Sequence, residues 1–340
     1  MRCAKLVGPQ KFDICEIDEP SVQSDKVMIE VLKTGICGSD LHYFEVGQPS
    51  GLVMGHEFCG RVISNGGRDD LKIGDRVTAL PISPCGSCEA CLKGNPQYCL
   101  RTWNQAVGLS LDNPGGLTTK INIRPDLAYK VPDNVSDEEA AMVEPTAVGL
   151  HAIHLADIKV GDKVLVIGSG IIGLSSAMFA KMEGASKVVV SEVNEERAKK
   201  AVELGVADSY ILANDKFNEN VASIAGSGFD IIIDCCGNSP AVTSAITAVK
   251  PGGKIILVGV SLNPITIPSV VAVLHEVTMI GAIAYTKEEF KTCLDLMADK
   301  KIDVTKFLSR IVPLSDTEKS YSELLSGKTD AIKIIVDPNK

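Results

Sequence analysis

The chain has 340 residues, of which 45% are hydrophobic and 23% charged, enough apolar material for two ordinary globular domains. Its formal net charge of −9 argues against a phosphate backbone as partner, so no nucleic acid is expected. No apolar run reaches the length of a signal peptide or a membrane span, and eleven cysteines without an export signal predict a reducing, cytoplasmic setting and no membrane partner.

The first 150 residues alternate short β-like runs, at 26–32, 60–63 and 76–80, with Gly/Pro turns, which predicts a compact β-rich domain. Within it stand Cys37, Ser39 and His42 in GICGSDLH, then His56 and Glu57 in GHE. A cysteine and a histidine nineteen residues apart mean little alone, because both types commonly fill cores or surfaces. Three protein donors with one open position are nevertheless what a catalytic zinc requires.

Cys85, Cys88, Cys91 and Cys99 follow as C-x2-C-x2-C-x7-C, four thiols within fifteen residues. Such a set closes a tetrahedral shell around one Zn²⁺ and leaves no position for a substrate. Pro84, Gly86, Gly94 and Pro96 punctuate the loop against regular structure. Two disulfides are the alternative, although cysteines two residues apart bridge poorly.

From about residue 162 the texture changes. Apolar runs at 163–168, 187–192, 209–212, 230–234, 254–259 and 277–281 alternate with helical stretches, including 171–184 and 195–205. Six apolar strands alternating with helices predict a doubly wound parallel sheet in an α/β fold. Gly168, Gly170 and Gly173 lie between the first of these strands and its helix. There they would make the tight turn, admit a pyrophosphate to the backbone and seat the helix on the strand. Ile171 and Ile172 open that helix, whose N-terminal amides favour phosphate. Glu192 ends the second strand, where an acid takes the adenine-ribose hydroxyls and repels a 2′-phosphate, so NAD is favoured over NADP. Arg197, on the helix that follows, complicates that preference. A helix at 287–300 and a strand at 331–336 come after the sheet is complete and are expected to pack back on the first domain.

Taken in order, GICGSDLH, GHE-x2-G-x5-G, the four-cysteine loop and the late GxGxxG resemble a zinc-dependent medium-chain dehydrogenase of the alcohol dehydrogenase superfamily, over the whole chain. Glu144-Pro145 within AMVEPTAVGLHAI resembles the sorbitol, butanediol and threonine dehydrogenase branch. The resemblance implies a GroES-like catalytic domain at 1–150 plus 286–340, a Rossmann domain at 151–285 and an active site in the cleft between them. It further implies Cys37, His56 and Glu144 as catalytic zinc ligands, with Glu57 replacing a ligand during turnover or lying just behind the metal. Ser39 and His42 would relay the substrate proton, and the tetrad would bind a structural zinc. The chain departs from the family pattern at Gly66-Gly-Arg-Asp69, where a surface turn is expected.

The expected function is therefore reversible oxidation of a secondary alcohol to a ketone, with two zinc ions per chain and NAD. The substrate would be a polyol, a vicinal diol or a sugar-derived alcohol. A threonine or sugar-phosphate dehydrogenase is the alternative; a cluster of cations drawn from residues such as Lys72, Lys120 and Lys287 would favour phosphate. A non-catalytic NAD- and zinc-binding protein is the remote one. Tyr43, Phe44, Trp103 and Tyr285 are candidates to line the substrate pocket. Symmetry among soluble enzymes makes a homodimer or homotetramer the prior for assembly.

Overall fold

The computed structural model describes residues 1–340, which divide into two compact units, Met1–Ala147 with Tyr285–Lys340, and Val148–Ala284. The division falls within the helix Val143–Ala156.

In the second unit, six strands form one parallel sheet in the order Ser209–Leu212, Lys187–Glu192, Lys163–Ile167, Phe229–Asp234, Val249–Leu257, Thr278–Gly281. The chain thus builds outward from Lys163–Ile167 in one direction, then returns and builds in the other. That reversal opens a crevice at the carboxyl ends of Lys163–Ile167 and Phe229–Asp234. The apolar runs are continuous because both faces are covered: Val164, Leu165, Val188, Val189, Ile232 and Ile255 are fully buried. Each such side chain contributes roughly 1.5–3 kcal/mol relative to exposure. The fifth strand starts earlier than the 254 read from sequence, because Val249 already pairs with Phe229 before the register shifts.

In the first unit, Val27–Gly35 is the central strand of a mixed sheet, flanked by Glu57–Asn65 and, from the far end of the chain, Lys333–Asp337. Leu308–Pro313 extends the sheet beyond Lys333–Asp337, Arg76–Ala79 and Ala128–Lys130 extend the other side, and Lys120–Ile123 pairs with Val27–Gly35. Val27, Ile29, Val31, Phe58, Val77 and Ile121 alternate inward along these strands and form one core. A second core joins the hairpin of Arg2–Gly8 and Lys11–Glu16 to the C-terminal segment, with Leu6, Phe44, Tyr321 and Ile334 completely enclosed. The unusual Gly66-Gly67 pair takes φ of +56° and +79° in the turn after Glu57–Asn65, a conformation that L side chains resist.

Candidate metal and dinucleotide sites

Two strands of the first unit and the first turns of two helices assemble the metal cradle. Val27–Gly35 delivers Cys37 to the N-cap of the helix Gly38–Val46. Glu57–Asn65 begins at Glu57, so His56 lies immediately before the strand. One donor atom from each of Cys37, His56 and Glu57 lies within 4.8 Å of the other two. Glu144 stands in the first turn of Val143–Ala156. The preceding short helix Asp137–Ala141 is fixed by a capping box: the Glu139 amide donates to Ser136 Oγ at 3.1 Å and the Ser136 amide donates to Glu139 Oε2 at 2.7 Å.

Glu144 is outside the close trio, but its charge is felt there. Burial pushes its carboxyl up to about 7, with Glu57 adding to the rise and His56, Tyr285 and Lys333 opposing it. Tyr285 donates a hydrogen bond to Glu144 Oε1 at 2.8 Å, which leaves Oε2 for another partner. For His56, burial disfavours protonation, yet Asp40 and Cys37 outweigh it and hold the ring well above its usual range. Asp40 Oδ1 stands 3.2 Å from His56 Nδ1, which leaves Nε2 for a metal. Tyr321 donates to Asp40 Oδ2 at 3.2 Å from the other side. Ser39 Oγ donates to Cys37 Sγ at 3.2 Å, and His42 lies half-buried one turn further along the same helix.

The donor set suits a cation. Asp40, Glu57 and Glu144 are 0%, 0% and 7% exposed beside the Cys37 thiol, with His56 against Asp40 and Lys333 against Glu57 as basic partners. Buried negative charge in that excess is costly unless compensated. Glu57 Oε1 is buried without a hydrogen-bond donor. A divalent ion supplies what these groups lack.

The tetrad is equally well shaped. Cys88 Sγ lies 3.6 Å from Cys91 Sγ, which is 4.0 Å from Cys85 Sγ, and all four thiols are free. Zn–S bonds near 2.3 Å in a tetrahedron place sulfurs about 3.8 Å apart. The amide of Cys88 donates to Cys85 Sγ, and the amides of Cys85 and Arg101 to Cys99 Sγ, at 3.3–3.4 Å. Backbone donors of this kind, from Ser87 and Cys88, lower the Cys85 thiol to about 5, so it is a thiolate at neutral pH.

In the second unit Gly168 takes φ of +99°, and a Cβ on Gly173 would stand 1.9 Å from the Gly168 carbonyl oxygen. Gly170 caps the helix Ile171–Met182 without a side-chain acceptor, so the first amides, including those of Ile171 and Ile172, face outward unclaimed by a cap. Glu192 is more occupied than a free arm for ribose. Its Oε2 accepts from the Ser169 amide and hydroxyl at 2.9 and 2.7 Å, and its Oε1 from the amides of Val193 and Asn194 at 2.8 and 3.2 Å. Burial raises its carboxyl, but Arg197 and these donors prevail and hold it below the usual range. Arg197 Nε is 3.8 Å from Glu192 Oε2, and an Arg197 terminal nitrogen lies 3.4 Å from where a Cβ on Gly170 would be.

Several expectations about neighbouring residues change. Phe44 is fully buried and stacks on Phe12 at 5.2 Å, so it builds the core and does not line a pocket. Tyr285 is 1% exposed and spends its hydroxyl on Glu144. Trp103 is 40% exposed. Lys120 and Lys287 pair with Glu19 at 2.6 Å and Asp126 at 3.0 Å, which leaves no free phosphate clamp there. Asp40, Tyr321, Ser169 and Lys333 were not read as site-supporting residues from sequence, and Tyr285 was read as a pocket-lining candidate, not as the partner of Glu144. Asp40 alone carried a signal, since it is three residues into the helix that Cys37 caps.

The alcohol dehydrogenase GroES-like domain family matches residues 23–133, and the zinc-binding dehydrogenase family matches residues 172–299. A sorbitol dehydrogenase from Bombyx mori is 32% identical over 98% of this chain and 97% of its own. The crystal structure of an Escherichia coli oxidoreductase of unknown specificity superposes with a TM-score of 0.91 at 31% identity, covering 99% of this chain and 98% of that one. 2R,3R-butanediol dehydrogenase from Bacillus subtilis superposes with a TM-score of 0.87 at 29% identity, covering 99% of both chains.

Proposed function

We propose that this chain, which belongs to the zinc-dependent medium-chain dehydrogenases of the sorbitol and butanediol branch and is therefore an oxidoreductase, reversibly oxidises a secondary alcohol of a polyol, vicinal diol or sugar-derived substrate to a ketone with NAD. The observation that carries this reading is the convergence of Cys37, His56 and Glu57 donors within 4.8 Å in a buried, net-negative setting. Cys37 Sγ, His56 Nε2 and the Glu144 oxygen not held by Tyr285 would hold the catalytic zinc, with Glu57, the third member of the close trio, in reserve. Cys85, Cys88, Cys91 and Cys99 would hold a second, structural zinc.

When bound, zinc supplies a Lewis acid that makes a hydroxyl acidic near neutral pH, and NAD supplies the hydride acceptor. The chain's own residues orient and move the proton. Asp40 fixes the His56 ring, itself steadied by Tyr321. Ser39 Oγ, beside Cys37, accepts the substrate proton and passes it to the His42 imidazole, one turn further along the same helix. In the second unit Gly168, Gly170 and Gly173 admit the pyrophosphate, the amides of Ile171 and Ile172 bind it, and Glu192 with Arg197 reads the adenine ribose. An ionised Glu192 favours NAD over NADP. The first unit then serves as the catalytic domain and the second as the dinucleotide domain. A reducing cytoplasm suits the tetrad, because thiols bind zinc only when reduced.

The enzyme is proposed to work as a homodimer or homotetramer. Val260, Leu262, Val270, Val273 and Leu274 are 57–75% exposed, near the edge strand Thr278–Gly281, whose pairing is one-sided. An open edge beside exposed apolar side chains offers a second copy of the chain a surface to pair with.

The decisive test is a screen for NAD reduction across polyols, 2,3-diols, sugar acids and threonine, beside zinc quantitation. Turnover of a polyol or diol with two zinc ions per chain is expected. A preference for threonine would move the substrate class, and no NAD reduction by any alcohol would remove the reading.

A further inference from the structure

One buried charge has no part in the proposed chemistry. Lys333 heads the strand Lys333–Asp337 and is 1% exposed. Its Nζ donates to the Ile36 carbonyl at 2.8 Å, immediately before Cys37. The same ammonium forms an ion pair with Glu57 Oε2, immediately after His56. A single lysine from the end of the chain therefore ties together two of the three backbone segments that carry metal donors.

The slot for this pair is built for it. A Cβ on Gly35 would stand 1.9 Å from Glu57 Oε2 and 3.0 Å from Lys333 Cε. Only the absent side chain leaves room. Glu57 Oε1, the oxygen not paired with Lys333, is buried and has no donor. Glu57 thus lies between a fixed ammonium on one side and the Cys37–His56 donors on the other. A carboxylate so placed divides its charge between two cations, and the nearer ammonium reduces what it offers a metal.

We propose that Lys333 is a positioning residue that holds Glu57 in reserve behind the catalytic zinc, keeping one ligand position open for substrate; this rests on the zinc reading above. Removing the ammonium frees Glu57 to close on the metal, which converts an open site toward the closed shell of a structural one. A lysine that merely filled space would be replaceable by methionine with no change in how the metal is held.

The test uses the purified holoenzyme and follows zinc transfer to a chromogenic chelator, with cobalt-substituted protein as a second readout. Wild type must first show two zinc ions per chain; only a tetrad zinc would defeat the zinc reading itself, whatever Lys333 does. Given two, Lys333→Met is expected to slow loss of the catalytic zinc about tenfold or more and to alter the cobalt d–d bands without substrate. Adding Glu57→Gln to that variant is expected to restore both. Release at or above the wild-type rate in Lys333→Met, or no effect of Glu57→Gln in that background, overturns the proposal. Should Lys333→Met fail to fold, Glu57→Gln alone decides. Two retained zinc ions and near-native release support a carboxylate held off the metal, whereas loss of the catalytic zinc overturns it.

Discussion

Glu192 illustrates how much one carboxylate can be asked to do. Its two oxygens accept from the Ser169 amide and hydroxyl and from the amides of Val193 and Asn194, so it also shapes the loop in which it sits. Because it stays ionised, a 2′-phosphate brought beside it meets repulsion, while Arg197 at 3.8 Å pulls the other way. Glu192→Ala is expected to weaken NAD roughly tenfold and to narrow the NAD-over-NADP preference, since Arg197 then has no competing anion. Steady-state kinetics with both cofactors check this, and an unchanged preference would remove Glu192 from the discriminating role. Cys37, His56 and Glu57 could be named at this scale only through the resemblance that GICGSDLH and GHE carry, since their spacing alone means little. Lys333 and Tyr321 could not, and Tyr285 was named only as a pocket-lining candidate. A lysine that heads an apolar strand reads as an exposed edge residue, and only the pairing of Lys333–Asp337 with Val27–Gly35 buries it.

At the level of elements, the glycine loop is where local sequence and packing agree most closely. Gly168 needs its positive φ, and Gly173 needs its missing side chain, because the helix Ile171–Met182 rests directly on the Gly168 carbonyl. Gly173→Ala forces these apart and is expected to cost about 1–3 kcal/mol of stability while sharply weakening NAD. Thermal unfolding with a parallel NAD titration tests it; native melting with native affinity would show that the contact is not tight. The four-cysteine loop was equally readable, since all four donors come from one short segment and need no tertiary partner to meet. Strand limits were less so. Val249 joins the sheet ahead of the apolar run because Phe229 offers it a partner, which periodicity does not encode.

For the whole molecule, the exposed apolar side chains at 260–274 carry the prediction about assembly. Val273 and Leu274 are 73% and 75% exposed, and a monomer leaving that surface wet would carry an unusual apolar patch. Replacing both with aspartate is expected to shift the oligomer toward monomer in light scattering, with zinc content unchanged. A wild-type protein already monomeric would set the assembly proposal aside. The sequence by itself determined the reaction family, the alternation that makes a parallel sheet, the dinucleotide loop and the sulfur tetrad. Each of these is local, carried by spacing or by periodicity along a continuous stretch. Only the tertiary structure decided which distant groups share the metal cradle: Asp40 against His56, Tyr285 against Glu144, and Lys333 against Glu57. Two of those pairs join residues more than a hundred positions apart, and spacing carries no information over such distances. Burial chose among the charged residues, because a carboxylate or an ammonium without water must find its counterpart wherever the fold provides one.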